Sequence, residues 1–201
     1  MSAVLDLKIS LRALDPEMVF AWRAAFADLP SVECRVGNIL NFTADAIVSP
    51  SNSFGYMDGG IDLAYRDFFG PEIEARLQRH IQTQHHGELP VGQAVVIDTQ
   101  HHSIPFLVSA PTMRVPAVIE DTVNAYLAFR AALLAVQRHN ESAARPIKSL
   151  MSPGFGTGIG AMDFQRAARQ MAAAYRAVAL NQREWLVDAS SIRRHHHDLL
   201  Q

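Results

Sequence analysis

Residues 45–62 read Asp45-Ala46-Ile47-Val48-Ser49-Pro50-Ser51-Asn52-Ser53-Phe54-Gly55-Tyr56-Met57-Asp58-Gly59-Gly60-Ile61-Asp62. The run from Ala46 to Ser49 is compact and stops at Pro50, the pattern of a short buried strand. Gly59 and Gly60 then precede Ile61-Asp62-Leu63-Ala64-Tyr65, whose spacing is helical and continues to Phe68, Phe69 and Gly70. In an open α/β sheet, ligands bind at the carboxyl ends of strands, beside the N-termini of the helices that follow. A strand, a glycine-rich turn and a helix in this order fit that position.

The arrangement recurs near the C-terminal end. An expected strand at 147–151 leads into Ser152-Pro153-Gly154-Phe155-Gly156-Thr157-Gly158-Ile159-Gly160, and a helix is expected from near Asp163. Alternate glycines let successive backbone N–H groups point into one concavity and let the main chain approach an anion with no Cβ in between. Two such loops can hold a diphosphate between them. The alternative for either loop is tight-turn geometry and nothing more.

Working outward, strands are expected at 4–9, 32–36, 93–99 and 105–109. A helix opens at Asp15-Pro16-Glu17, with Asp as N-cap and Pro at the first helical position, and buries Met18, Trp22, Phe26 and Leu29. A second helix over 71–84 carries Ile73, Leu77 and Ile81. A third is expected over 117–139, with Glu120 and Asp121 in its first turns. The helix after Asp163 presents Phe164, Ala168, Met171, Tyr175 and Val178. Strands alternating with helices imply an α/β protein, a three-layer α/β/α sandwich around a mixed, largely parallel sheet. No repeat, linker or composition shift divides residues 1–201, so one domain is expected, with 181–201 as a last strand, terminal extension or docked tail.

Four segments together resemble the macro domain, a family that binds ADP-ribose. They are Val36-Gly37-Asn38-Ile39, Asp45-Ala46-Ile47-Val48 followed by Asn52, Gly59-Gly60-Ile61-Asp62, and Gly156-Thr157-Gly158-Ile159-Gly160. The likeness runs from about 32 to 178 with motif order and spacing preserved. It implies that Asn38 and Ile39 meet the adenine. Gly59, Gly60 and Ile61 would wrap the diphosphate from one side, and Gly156, Thr157, Gly158 and Ile159 from the other. Ser51, Gly154 and Phe155 are counted with these ligand-binding residues. Asn52 would contact the distal ribose, and Asp62, ten residues later, would orient or deprotonate a water there.

Several positions depart from the family pattern. Asn38 stands where the family has an aspartate; its carboxamide oxygen still accepts from an amino group, without the charge assistance. Ser49 and Ser51 replace an Asn and an Ala. Asp58 replaces a glycine and places an anion near the expected phosphates. Ala161 falls where many members carry an aromatic residue, for which Phe155 and Tyr56 are the available substitutes.

The resemblance implies ADP-ribose or an ADP-ribosylated substrate as partner. The expected activity is hydrolysis of an ADP-ribosyl ester, on protein or on a small molecule. A non-catalytic ADP-ribose-binding module is the other reading, and Asp62 divides the two. The plain alternatives are a helix-dipole acid for Asp62 and a turn residue bonding its own backbone for Asn52.

Composition removes other classes. There is no G-x-x-x-x-G-K-[ST], so a P-loop is excluded. Gly156-x-Gly158-x-x-Ala161 fits the relaxed dinucleotide fingerprint but lies too near the end of the sequence for the βαβ unit to follow. No G-x-S-x-G elbow surrounds Ser152. Seven of the nine histidines fall in two doublets and a triplet whose members do not share one face, and His80 and His139 stand alone, so no metal site is expected, and no cofactor. Cys34, the single cysteine, reads as a small buried hydrophobe. Arg114 reads as a solvated loop arginine, with phosphate contact the other option. Only Lys8 and Lys148 are lysines among the 18 basic residues, and the net charge is −2. No basic stripe marks a nucleic-acid duplex binder. No apolar run is long enough to span a membrane, and the first residues lack a cleavable apolar block, so a cytoplasmic setting is expected.

Overall fold

A computed structural model describes residues 6–201. The elements are β1 (Lys8–Ala13), α1 (Pro16–Ala25), β2 (Val32–Val36), a 3-10 turn at Ile39–Asn41, β3 (Ala46–Ser49), α2 (Gly60–Phe69), α3 (Glu72–Gln84), β4 (Val95–Asp98), β5 (Phe106–Ser109), α4 (Asn124–Ser142), β6 (Ser149–Ser152), α5 (Phe164–Val178) and α6 (Ala189–Leu200). The sheet order is β2-β1-β6-β3-β5-β4. Every neighbouring pair is parallel except β4 with β5.

Successive side chains of a strand face opposite sides of the sheet, and here both sides are covered in its middle. Ala46 and Val48 of β3 join one apolar cluster with Trp22, Phe129, Met171 and Tyr175, while Ile47 joins another with Tyr65, Ile73, Leu77 and Ile81. The three-layer architecture follows: α1, α4 and α5 pack on one face, α2 and α3 on the other. β3 is therefore buried at all four positions, as its unbroken apolar run implies. Asp45 clamps the start of this strand to β6. Its Oδ2 accepts from the Lys148 and Ser149 N–H groups, both at 2.9 Å, and from Ser149 Oγ at 2.8 Å. This aspartate serves the fold.

Helix starts behave as their capping residues dictate. Asp15 Oδ1 accepts from the Glu17 N–H at 2.8 Å, and Asp163 Oδ1 from the Arg166 N–H at 3.0 Å. Several boundaries differ from expectation by a few residues, and three regions have a clear physical cause. β1 begins at Lys8 and runs to Ala13, because it pairs with β6 over Lys8–Leu11 and with β2 over Ile9–Ala13; residues 4–5 of the expected strand lie outside the described residues. The helix expected from 117 begins at Asn124. Tertiary bonds hold the preceding segment open: the Ile119 N–H donates to Gly160 O at 2.8 Å, and Arg166 Nη1 donates to Glu120 O.

The tail is the third, a docked helix where a last strand, a terminal extension or a docked tail was expected. Residues 189–200 form α6, capped by Asp188. It docks through Gln170, a fully buried amide on α5. Gln170 Nε2 donates to Thr122 O at 2.8 Å and Leu199 O at 2.9 Å, while its Oε1 accepts from the Tyr126 N–H at 3.0 Å. His195 stacks on Trp185 with ring centroids 4.5 Å apart. Gln170→Leu leaves three backbone groups unpaired, and a loss of roughly 3 kcal/mol is expected. Thermal melts, with hydrogen exchange over 189–200, measure both the loss and the release of α6. Among the described residues no helix is long and apolar enough to cross a membrane.

Candidate functional site

β3 does not stop interacting at Ser49. The Ala110 N–H donates to Ser49 O, the Thr112 N–H to Ser51 O and the Ser53 N–H to Arg114 O, at 2.9, 3.0 and 3.1 Å. The loop after β3 is thus carried along the segment after β5. Ser51 Oγ and Ser109 Oγ lie 2.7 Å apart and close the buried seam between them. Asn52 then folds the loop on itself: its Oδ1 accepts from the Phe54 and Tyr56 N–H groups, and its Nδ2 donates to Tyr56 O at 2.8 Å. Gly55 takes a φ of +71°, and a Cβ there would stand 2.9 Å from Leu77. The turn therefore needs a glycine for both conformation and space.

The loop delivers the N-terminus of α2 with no side-chain cap. Among the described residues, the N–H groups of Gly60, Ile61 and Asp62 have no protein acceptor; the first helical bond is Leu63 N–H to Gly59 O at 3.2 Å. Neither Gly59 nor Gly60 has any atom within 4 Å of where a Cβ would stand. Uncapped donors facing open space at a helix N-terminus form an anion-binding geometry.

The second loop is built differently. Met162 N–H donates to Gly156 O and Ala161 N–H to Gly158 O, at 2.9 and 3.0 Å, which coils the segment tightly. Its glycines divide into two kinds. A Cβ on Gly160 would lie 2.5 Å from Gly156 O, one on Gly156 2.9 Å from Ile119, and one on Gly154 2.7 Å from Thr157 Oγ1. These three permit the coil. Gly158 alone meets nothing within 4 Å. Among the described residues the N–H groups of residues 156–160 also lack a protein acceptor. Gly160→Ala therefore costs about 1–3 kcal/mol by overpacking against backbone, read as a lowered thermal midpoint.

Both loops line one cleft of about 270 Å³. Gly59, Gly60 and Ile61 form one wall; Gly154, Gly156, Thr157, Gly158 and Ile159 form the other, with Ser51, Asn52 and Asp62 between them. Thr112, Met113 and Pro116 from the segment after β5 add a third wall, which the motif reading did not include. Its one signal was a proline-flanked loop directly after a strand.

Three residues grouped with the ligand stand elsewhere. Phe155 is fully buried and packs edge-on to Phe129 at 5.4 Å, so it belongs to the core. Ile39 is buried beneath the 3-10 turn in the cluster on the α2–α3 side. Asn38 caps that turn, its Oδ1 accepting from the Leu40 N–H at 3.0 Å; neither it nor Ile39 lines the cleft. Arg114 is bound by Glu88 through two bonds of 2.8 and 3.0 Å, and does not reach the cleft. Tyr56, by contrast, is exposed at the cleft edge. Cys34 is only partly buried, and burial raises its thiol pKa to about 11. Among the described residues no group of three or more His, Cys, Asp or Glu side chains is placed to hold a metal.

Asp62 is the chemically distinctive residue. It is 7% exposed, and its Oδ1 accepts from Ser49 Oγ at 2.5 Å. Burial raises its carboxyl pKa to about 6; the Ser49 bond opposes the rise and the Asp58 charge adds to it. The other carboxylate oxygen has no protein hydrogen bond among the described residues, and the residue lines the cleft. A buried acid poised near neutrality, open to a cleft on one side, can exchange a proton with a bound water.

Comparison with known proteins places these features in a wider group. The Macro domain family matches residues 48–171. An uncharacterized protein of Aquifex aeolicus is 33% identical over 67% of this chain and 74% of its own length. Another, from Aeropyrum pernix, is 33% identical over 69% and 67%. Among solved structures, the Mycobacterium tuberculosis DarG macrodomain superposes with a TM-score of 0.59 at 20% identity, covering 71% of this chain and 88% of that one. The Oceanobacillus iheyensis macrodomain with ADP gives 0.61 at 20% identity, covering 73% and 75%. Thermosipho africanus DarTG in complex with ADP-ribose gives 0.56 at 15%, covering 73% of this chain and 38% of that one.

Proposed function

Because the chain belongs to the Macro domain family, we propose that its cleft binds ADP-ribose through the diphosphate and that Asp62 serves hydrolysis of an ADP-ribosyl ester. The observation that carries the reading is that one cleft is lined by two loops whose backbone N–H groups, at 60–62 and 156–160, have no protein acceptor among the described residues. Such donors bind phosphate oxygens without side chains. Structural neighbours solved with ADP and in complex with ADP-ribose support the ligand class.

In the proposed reaction, water adds at the distal ribose or at the adjoining acyl carbon, and the ester divides into ADP-ribose and a carboxylate. Asp62, ionised, accepts the water's proton through its free oxygen, while Ser49 holds the other oxygen in place. The glycine loops fix the diphosphate, so that the ester is presented to that water. Asn52 retains one amide hydrogen beyond its bond to Tyr56 O, and this is the group offered to a ribose hydroxyl. Adenine contact at Asn38 and Ile39 is part of the same proposal, although neither residue lines the cleft.

One observation favours binding without turnover. The carboxamide of Asn52 is already committed to three bonds within its own loop, which suits a fixed scaffold better than a mobile contact. Calorimetry with ADP-ribose, paired with release of ADP-ribose from a mono-ADP-ribosylated protein, separates the two. Binding with turnover supports the hydrolase; binding alone supports the module. No binding defeats both.

A further inference from the structure

We propose that Asp58 makes this cleft select its ligand by charge, admitting a diphosphate diester and turning away nucleotides that end in an ionised phosphate. The inference rests on the ADP-ribose reading and concerns the same site.

Among the described residues, the side chains lining the cleft include no lysine, arginine or histidine. Among the same residues the charged side chains lining it are Asp58 and Asp62. Arginines near these segments are used elsewhere: Arg114 is bound to Glu88, and Arg66 lies 3.4 Å from Glu74. An anion entering the cleft meets neutral donors: the N–H groups of the α2 N-terminus and of residues 156–160, and the hydroxyl and amide side chains of Ser51, Asn52, Thr112 and Thr157. Their attraction is dipolar and local, and falls off within a turn of helix. A carboxylate repels as a full charge over a longer distance.

Asp58 supplies that charge. It lies next to two residues without side chains, is exposed, and lines the cleft. Its carboxylate makes no hydrogen bond to the protein among the described residues. Its charge adds to the rise in the Asp62 carboxyl pKa that burial chiefly causes. A diphosphate esterified at both ends carries two negative charges, which the two N–H sets can divide. A nucleoside diphosphate adds a terminal charge for which the cleft has no cation. Each added charge meets more repulsion with no added partner, so affinity falls as ligand charge rises.

Calorimetry tests this with ADP-ribose and ADP as probes, at mildly alkaline pH with EDTA, using wild type, Asp58→Asn and Asp58→Gly. Asp58→Asn is expected to tighten ADP-ribose about fivefold at low salt and ADP by about tenfold or more. Asp58→Gly is expected to move both in the same direction, which separates the charge from any helix-capping role of the asparagine. In wild type, raising salt to about 0.15 M leaves ADP-ribose affinity unchanged or improved, the opposite of a site lined by cations. An unchanged ratio of ADP to ADP-ribose affinity in both variants overturns charge selection while leaving ADP-ribose binding intact. So does wild-type affinity that falls with salt. Failure of wild type to bind either probe overturns the ADP-ribose reading and this inference with it.

Discussion

Asp62→Asn is expected to slow release of ADP-ribose by about 10²–10⁴-fold while ADP-ribose binding persists. Asparagine preserves the shape and still accepts from Ser49 Oγ, so the loss reports the missing base and not a collapsed site. In wild type the rate should fall as pH drops through about 6, where the buried carboxyl takes up its proton. The stability of the same variants has the opposite trend. Folding raises the Asp62 pKa from 3.8 to about 6, so the folded state binds this proton more tightly than the unfolded one. The group therefore destabilises the fold above pH 6, and that penalty disappears as pH falls below the unfolded value. The shift corresponds to about 3 kcal/mol at neutral pH. Asp62→Asn should accordingly melt higher than wild type at pH 8 and converge with it near pH 4. A variant that loses activity and gains stability marks a residue held in place for chemistry. Equal melting at both pH values, or full turnover by the variant, contradicts the role.

The second large effect is expected at Gly158. Its Cβ position faces empty space in the cleft, so Gly158→Leu places a branched side chain where the diphosphate is proposed to lie. A Cβ at this position meets no neighbour within 4 Å, so the thermal midpoint should stay close to that of wild type. Loss of two charge-assisted bonds from the loop N–H groups lowers ADP-ribose affinity by about 100-fold or more. The comparison with Gly160→Ala is informative, because the two glycines stand two positions apart. One faces the cleft, the other the loop's own backbone, and their substitutions should separate binding from stability. Affinity retained in Gly158→Leu would place the diphosphate elsewhere.

The architecture was legible because its signals are local and mutually consistent. The unbroken run Ala46–Ser49 required a strand covered on both faces, and Asp15 and Asp163 marked helix starts that the structure keeps. The two glycine loops were legible as a pair for the same reason: each follows a strand and precedes a helix. What could not be read depends on distant partners. The Ile119 to Gly160 bond keeps residues 117–123 out of the helix that their local pattern suggests. Gln170 anchors a C-terminal helix through backbone groups far from it in sequence. Phe155 sits among ligand-facing glycines in sequence, yet the coil turns its ring into the core. The third wall at Thr112, Met113 and Pro116 carries no motif at all, and the Ser49–Asp62 bond joins two positions that only the fold brings together.

The most direct measurement is a backbone amide NMR titration with ADP-ribose. The amides of residues 59–62 and 156–160 are predicted to shift together along one saturation curve, because a single diphosphate bridges both. Shifts confined to one loop, separate curves for the two, or none in either would contradict a shared diphosphate site.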